Sequence, residues 1–232
     1  LVGSEMCIRD RSEQVELHPR QKGFVKGQGC AYNCLMLDRM AKRYRKSEGY
    51  MAVLDISKAF DTVPHAAIHP VMEHYGVNKT LTTIVGKMYN GSSTTFRPPD
   101  PEGLPWTSKL SRGVKQGDPL SPLLFNLVMD PLLRRLNEHC QEWNNGPGDM
   151  AKPMALGYAD DLVLLCSSAE VLRKMLKVVE DYLKLLDMSL SPLKCRAIGW
   201  KANHGTWAPS DPLLNYNGCL LYTSPSPRDG LL

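Results

Sequence analysis

The sequence lacks long apolar runs, an even set of cysteines and a large excess of charge. Each of these absences argues against a class of protein. The apolar runs reach only about five residues, whereas a helix that crosses a bilayer needs roughly twenty. The seven cysteines are scattered and odd in number, which fits a reducing compartment better than a disulfide framework. The net charge is +4, from 28 basic and 24 acidic residues, so basicity alone does not indicate nucleic-acid binding. The 232 residues are nevertheless enough to bury a core, as one large domain or two small ones.

Both ends of the chain differ from its middle. Residues 1–11 have no helical or strand period. Within the last segment (219–232), residues 219–229 are interrupted by serine and proline, so we expect them to form no helix or sheet. Both ends resemble peptides that arise when sequencing-adaptor DNA is translated together with a transcript. We therefore expect both ends to be scars, the natural protein to extend beyond them, and the chain to be a fragment.

An acidic pair lies between two short apolar runs in the second half of the chain. Residues 154–157 and 162–166 are the runs, and residues 158–161 (Tyr-Ala-Asp-Asp) form the polar tip between them. This pattern predicts a β-hairpin with an acidic turn. The carboxylates of Asp160 and Asp161 repel each other unless a cation lies between them and a third ligand, so the pair indicates a metal site. A solvated turn is the commoner explanation for an isolated acidic pair.

Two further stretches combine apolar elements with groups that bind ligands. Residues 50–56 predict a buried strand with Asp55 at its end, and a carboxylate on a rigid strand end is suited to catalysis, although a cap or turn residue is the commoner alternative. Residues 112–122 predict a glycine-bearing turn that leads into a helix, with Ser121 as its cap and Pro122 at its first position. Such a helix start offers free N–H groups to an anion.

Apolar periodicity and turn residues predict the remaining elements. We expect helices at about 31–46, 64–75 and 78–89, after residue 122, and through residues 172–186. We also expect short strands at 94–96 and 108–110, and a strand over 196–200. A capping box at 167–170 begins the last of these helices. The glycines between residues 23 and 29 predict a loop that approaches another segment closely. His65 and His69 have helical spacing, but without a carboxylate partner we interpret them as surface or capping residues.

Four of these stretches have the order of the palm motifs of reverse transcriptases: residues 54–61, residues 113–122, the Tyr-Ala-Asp-Asp tip and residues 190–194. Their sequences are similar to those of LINE-type (non-long-terminal-repeat, or non-LTR) retrotransposons. Residues 21–24 (Gln-Lys-Gly-Phe) resemble the last fingers motif of that family. The resemblance covers about residues 21–200, and four ordered motifs form a specific signal, although each alone would be weak.

The resemblance implies an α+β fold, the palm of a right-hand polymerase, in which helices back an antiparallel sheet. It assigns partial fingers to residues 12–50, the palm to residues 51–200 and the start of the connection to the thumb to residues 201–218. From the same resemblance we expect the chain to lack the thumb and the upstream fingers strand, whose basic residues hold the triphosphate. Partial replacement of that strand by Lys22 is the disfavoured alternative.

The same resemblance assigns the metal ligands. Joining a nucleotide to a primer builds charge on the attacking and leaving oxygens, and two divalent ions about 3.5–4 Å apart can stabilise both. Hard cations such as Mg²⁺ prefer carboxylate and phosphate oxygens. The expected catalytic residues and metal ligands are Asp55, Asp160 and Asp161, assisted by the carbonyl of Ile56. The expected cofactor is a pair of Mg²⁺ ions, with Mn²⁺ as a substitute.

Further positions match substrate-binding residues of the family. Phe60 stands where a bulky side chain excludes a ribose 2′-OH and so selects deoxynucleotides, with an ordinary core phenylalanine as the alternative. Gln116 and Gly117 match residues that line the new base pair. Lys194 matches a catalytic residue that protonates the departing pyrophosphate. A surface lysine is the alternative, because Ser191 stands where the family commonly has asparagine.

The expected function is therefore an RNA-directed DNA polymerase that copies element RNA from a DNA 3′ end. The resemblance implies an RNA template, a DNA primer and dNTPs as partners, no membrane, and an intracellular, nuclear location after a cytoplasmic ribonucleoprotein stage. The alternatives are an inactive remnant that only binds nucleic acid, a group II intron maturase, a telomerase, and an RNA-dependent RNA polymerase. The intact aspartates argue against the remnant, and Phe60 argues against the RNA polymerase, where we expect a polar residue. Residues 60–65 favour the retrotransposon.

Overall fold

The chain forms two compact units in the computed structural model. The first contains Leu1–Leu17 and Lys58–Val128, and the second contains His18–Ser57 and Met129–Leu232. The structure describes residues 15–44, 48–100, 103–143, 153–203, 206–210, 212–216 and 219–223. The predicted scar at 1–11 and the part of the other scar after residue 223 lie outside these ranges.

Helices and strands follow each other along the chain in a mixed order. They are α1 (Cys30–Tyr44), β1 (Gly49–Asp55), α2 (Ala59–Thr62), α3 (His65–His74), α4 (Lys79–Tyr89), β2 (Ser93–Phe96), β3 (Trp106–Lys109), α5 (Ser121–Glu142), β4 (Met154–Tyr158), β5 (Asp161–Cys166), α6 (Ala169–Leu185), β6 (Arg196–Asn203), β7 (Thr206–Ser210), β8 (Asn215–Tyr216), β9 (Cys219–Leu220) and β10 (Tyr222–Thr223). None of the helices in the described ranges is long and apolar enough to cross a membrane.

A six-stranded sheet forms the centre of the second unit. The order across it is β10-β6-β1-β5-β4, and β7 pairs with β6. Every pair is antiparallel except β10 with β6. β1 is central, so strands that are more than a hundred residues apart in sequence lie side by side.

Alternating burial explains why β1 is a strand. Tyr50, Ala52 and Leu54 are buried on one face, whereas Met51, Val53 and Asp55 on the opposite face are half-buried. β4 and β5 are almost continuously apolar and are buried along most of their length. The predicted strand and the predicted hairpin with an acidic turn are both confirmed.

Helices cover this sheet. α6 is amphipathic, and its apolar stripe packs against β1 and β5. The buried residues of that stripe are Leu172, Met175, Leu176, Val179 and Leu183. The cap of α6 is Ser168, whose hydroxyl accepts a hydrogen bond from the Glu170 N–H, so the helix begins one residue later than the capping-box pattern predicts. On the β4 side, Met36 and Leu37 of α1 pack against a cluster of sheet residues, Met154, Leu156 and Leu165.

The prediction that residues 219–229 form no sheet is wrong for their first part. β9 pairs with β8, and β10 pairs in parallel with the start of β6. Leu221 between them is buried. The serine and proline residues that disfavour a sheet begin only at position 224, so nothing local prevents the preceding apolar residues from pairing.

The first unit consists of helices and a two-stranded hairpin. α3 packs against α4, and Asn78 caps α4 by accepting a hydrogen bond from the Thr80 N–H. Gly76 has φ +67°, which lets the chain reverse after α3 as predicted. β2 and β3 lie close to the two predicted short strands and pair into a hairpin whose residues are all exposed.

The prediction for the start of α5 is wrong by one residue. The helix begins at Ser121, so Pro122 is its second residue. The Ser121 hydroxyl donates to the Lys115 carbonyl at 2.6 Å instead of accepting a bond from a helix N–H. The acceptor ahead of the helix is Asp118 Oδ1, which binds the Leu120 N–H at 2.9 Å.

Replacing Gly199 with alanine should destabilise the second unit. A Cβ there would lie 2.4 Å from the Ser210 carbonyl oxygen and 2.6 Å from the Tyr50 ring. Overpacking of this kind costs about 1–3 kcal/mol in the free energy of unfolding. Urea denaturation should therefore show a lower midpoint with an unchanged slope. Gly29→Ala is the control, because its Cβ would meet no described atom within 4 Å; equal midpoints for the two variants would refute this packing.

Candidate active site

Two aspartates from distant parts of the chain lie opposite each other on adjacent strands of the sheet in the second unit. Asp55 is the last residue of β1, and Asp161 is the first residue of β5. The antiparallel register pairs them directly, next to the pair formed by Leu54 and Leu162. Directly opposite side chains share one face of a sheet, with their Cβ atoms about 4.5–5.5 Å apart. The fold therefore brings together the acidic residues of two separate motifs.

Asp160 lies in the turn that joins β4 to β5. Tyr158 pairs with Asp161, so Ala159 and Asp160 form a two-residue turn. Ala159 has φ +54°, in the left-handed region that is costly for a residue with a Cβ. Glycine or asparagine is the usual residue at such positions in tight hairpins. A strained turn persists only where the surrounding structure holds it, and in this protein the strained turn carries the acidic pair.

The segment after α6 fixes the backbone of Asp55 from the other side. The Ser191 N–H donates to the Asp55 carbonyl oxygen at 2.8 Å. The Asp55 N–H in turn donates to Cys195 Sγ at 3.4 Å. Burial raises the pKa of the Cys195 thiol, which keeps this sulfur protonated. The position of Asp55 is thus set by hydrogen bonds as well as by the β5 register.

The same segment places a cation beside the aspartates. Lys194 Nζ lies 3.3 Å from Asp55 Oδ2, and the lysine side chain is 70% exposed. Ile56 follows Asp55, is buried, and forms a β-bridge with Leu190. The fourth predicted motif therefore meets the first one at Asp55.

The charges of these residues act on one another. Partial burial raises the pKa of Asp161, and the negative charges of Asp160 and Asp55 raise it further. The ammonium of Lys194 acts in the opposite direction. Three carboxyl groups thus share a region with one cation, an arrangement that a bound cation would stabilise.

The donor set suits a hard cation. Asp55 Oδ2 is buried, and apart from its ion pair with Lys194 it has no hydrogen-bond partner among the residues that the structure describes. Among those residues, no group of three His, Cys, Asp or Glu side chains could hold a metal by itself as the side chains stand. Magnesium, however, is commonly bound by one or two carboxylates together with substrate phosphates, so such a group is not required. The residues therefore suit a metal ion whose coordination shell is completed by substrate oxygens.

Three of the predicted substrate-binding residues lie in the first unit, namely Phe60, Gln116 and Gly117, whereas Ile56 and Lys194 lie in the second. The Phe60 ring stacks on Phe125 with 4.5 Å between ring centroids, and the Phe60 carbonyl accepts a bond from the Val114 N–H. Gln116 Nε2 donates to Asp61 Oδ1 at 3.1 Å. The hydrogen bonds join the predicted first and second motifs into one local structure.

Glycines shape this part of the first unit. Gly117 has φ +83° and Gly113 has φ +87°, so both adopt the left-handed backbone that favours glycine. A Cβ on Gly113 would lie 3.0 Å from the Asp61 carbonyl oxygen. His65 Nε2 lies 2.8 Å from the Gly113 carbonyl oxygen, so this histidine holds the turn.

Sequence reasoning missed the residues that hold the acidic hairpin from outside. Gln21 is buried and hydrogen-bonds to both backbone groups of Ala159, and Asn33 donates to the Gly157 carbonyl. Lys22 is also buried, and its ammonium contacts Gln28 and the Tyr32 ring within its own segment. The sequence did contain a signal for this contact: the polar Gln21 lies two residues before Gly23, and a glycine allows another segment to approach closely.

An antiparallel sheet backed by helices, with facing aspartates and an acidic hairpin, defines the palm of a polymerase. The solved structures that the chain resembles have this fold. It superposes on apo telomerase from Candida tropicalis with a TM-score of 0.59 and 12% identity, covering 84% of this chain and 36% of that one. For the telomerase of the same species with a TWJ fragment of telomeric RNA, the TM-score is 0.58 at 13% identity, covering 73% and 29%.

The chain belongs to the family described as "Reverse transcriptase (RNA-dependent DNA polymerase)", which matches residues 5–206. It is similar to the Pol polyprotein of the type-2 retrotransposable element R2DM of Drosophila melanogaster, with 38% identity over 82% of this chain and 18% of the relative. It is also similar to that of the type-1 element R2 of Popillia japonica, with 36% identity over 89% of this chain and 29% of the relative. The chain thus spans less than a third of the length of these relatives.

Proposed function

We propose that the chain is the catalytic core of a non-LTR retrotransposon reverse transcriptase, which extends a DNA primer on an RNA template. The observation that carries this proposal is the direct pairing of Asp55 with Asp161, beside Lys194. Family membership supports the reaction class. The retrotransposon polyproteins among its relatives support the kind of element.

Asp55, Asp160 and Asp161 are the proposed ligands of two Mg²⁺ ions, for which Mn²⁺ would substitute. When bound, such ions stabilise the charge that develops on the attacking and leaving oxygens of a phosphoryl transfer. The protein contributes a rigid strand end at Asp55, a fixed turn at Asp160 and the carbonyl of Ile56. Because the negative charges of Asp160 and Asp55 raise the pKa of Asp161, a divalent cation at this site would relieve the repulsion that acts on Asp161.

Lys194 is the proposed general acid for the departing pyrophosphate. Its ammonium is exposed and lies beside Asp55, so it can reach a polyanion bound near the carboxylates. Proton donation to a leaving oxygen lowers the charge that this oxygen must carry. In the first unit, Phe60 is the proposed selector of the sugar, and Gln116 and Gly117 are the proposed lining of the new base pair.

The proposed partners are an RNA template, a DNA primer or target and dNTPs. The proposed site of action is the nucleus, after a cytoplasmic ribonucleoprotein stage. These assignments rest on the retrotransposon polyproteins to which the chain is similar.

Primer extension tests the proposed function. The full-length protein that carries this chain should extend a labelled DNA primer on an RNA template when dNTPs and Mg²⁺ are present. Removing divalent ions with EDTA should stop the reaction, and adding Mg²⁺ or Mn²⁺ in excess should restore it. Extension with rNTPs in preference to dNTPs would indicate an RNA polymerase instead. RNA binding without any extension would indicate an inactive remnant.

A further inference from the structure

The side-chain amide of Gln21 binds both backbone groups of Ala159, the strained residue of the acidic turn. Gln21 Oε1 accepts from the Ala159 N–H at 2.9 Å, and Gln21 Nε2 donates to the Ala159 carbonyl at 3.4 Å. The same Oε1 accepts from the Gly23 N–H at 3.0 Å, so one amide joins two loops. Gln21 is 3% exposed, and losing its amide would remove the acceptor that the Ala159 N–H uses.

Main-chain hydrogen bonds bring the two segments to this distance. The Lys22 N–H donates to the Gly157 carbonyl, and the Gly157 N–H donates to the Arg20 carbonyl, both at 3.0 Å. Gln21 and Gly157 thereby form a parallel β-bridge at the edge of β4. The buried Asn33 side chain donates to the same Gly157 carbonyl at 3.1 Å. The end of β4 is therefore held just before the turn begins.

Gly23 provides the space for this contact. A Cβ at position 23 would lie 2.2 Å from the nitrogen and 2.9 Å from the Cα of Ala159. These are backbone atoms, so no side-chain rotation could relieve the overlap. The sequence Gln-Lys-Gly thus contains both requirements, an amide that binds the turn and a glycine that lets the segment approach it.

We propose that Gln21 is a positioning residue that holds the turn in the geometry in which Asp160 and Asp161 bind metal. Ala159 needs such support because φ +54° costs a residue with a Cβ about 1–2 kcal/mol. The adjacent carboxylates add repulsion that would favour opening the turn. We call the contact of the Gln21 amide with both backbone groups of Ala159 the clamp. The inference rests on the proposed function, since the clamp matters for catalysis only if Asp160 and Asp161 bind metal.

Gln21→Met tests the clamp, because methionine has a similar length but no amide group. Gln28→Met is the matched control, an exposed glutamine of the same loop whose side chain binds Lys22. Hydrogen–deuterium exchange of the full-length protein should show faster exchange of the Ala159 amide in Gln21→Met, by about tenfold or more. Peptides from the middle of β1 and β5 should be unchanged, which separates a local effect from loss of the fold.

Metal binding provides a second measurement. Titration with Mn²⁺, followed by electron paramagnetic resonance, should show about 10- to 100-fold weaker binding by Gln21→Met, the usual effect of losing a residue that orients metal ligands. In primer extension, the variant should need more Mg²⁺ and recover much of its kcat at high Mg²⁺. A purely structural role would lower the melting temperature without changing the Mg²⁺ requirement, and that result would overturn the proposal.

Unchanged Ala159 exchange and unchanged Mn²⁺ affinity in Gln21→Met would also overturn it. If this variant does not fold, hydrogen exchange of the Ala159 amide in the wild-type protein provides the test. Exchange as fast as that of an unprotected amide would contradict the clamp, and slow exchange would support it. A full-length wild-type protein without polymerase activity would contradict the proposed function instead. The exchange and Mn²⁺ measurements would still decide the role of Gln21.

Discussion

Replacing Asp160 with alanine should abolish primer extension by the full-length protein while leaving its binding to RNA intact. The change removes one of the three carboxylates proposed to hold the ions, and Asp161 alone would remain at the turn. We expect a loss of at least about 10³-fold in kcat, which corresponds to about 4 kcal/mol of transition-state stabilisation. RNA binding depends on phosphate contacts elsewhere and should change little.

The fold should survive this change. Asp160 lies in the turn, and its charge acts unfavourably on Asp161, so its removal relieves repulsion. Asp181→Ala is the matched control, because Asp181 is an exposed residue of α6 whose carboxylate pairs with Lys177 on the surface. Exposed pairs of this kind contribute about 0.2–1 kcal/mol, so the control should retain full activity. Equal activity of wild type and Asp160→Ala would exclude the proposed mechanism.

Phe60→Val should let the enzyme incorporate ribonucleotides. In the proposed role the Phe60 ring excludes a ribose 2′-OH by its volume, and valine leaves room for that hydroxyl. The preference for dNTPs over rNTPs, measured as a ratio of kcat/KM values, should fall by about 10- to 200-fold. Most of the change should appear in the values for rNTPs, because the contacts of a deoxyribose are affected less.

The structural context of Phe60 allows a clean comparison. Its ring stacks on Phe125, so the variant should also lose some stability, which a thermal melt would measure. Phe96→Val makes the same chemical change at an exposed position of β2 and should leave the preference for dNTPs unchanged. If Phe60→Val discriminates between the sugars as well as Phe96→Val does, Phe60 is a packing residue and not a selector.

Much of the local structure could be predicted because it depends on short-range patterns. The alternation along β1, the apolar stripe of α6 and the two apolar runs around the acidic turn each specify an element through the period of its side chains. The errors at Ser121 and Ser168 are shifts of one residue, since neighbouring polar side chains compete for the same backbone groups. The pairing of β10 was missed because a strand of two residues has no period to read.

The sequence by itself determined the acidic motifs, their order and the family to which they belong, because these are properties of residue identity and local spacing. Only the tertiary structure decided that Asp55 lies opposite Asp161, and that Gln21 reaches Ala159 across 138 residues of chain. Strand order and register follow from how whole apolar faces pack, and no local pattern specifies them. The hydrogen bonds of a buried amide depend on the same packing, so the clamp became visible only in three dimensions.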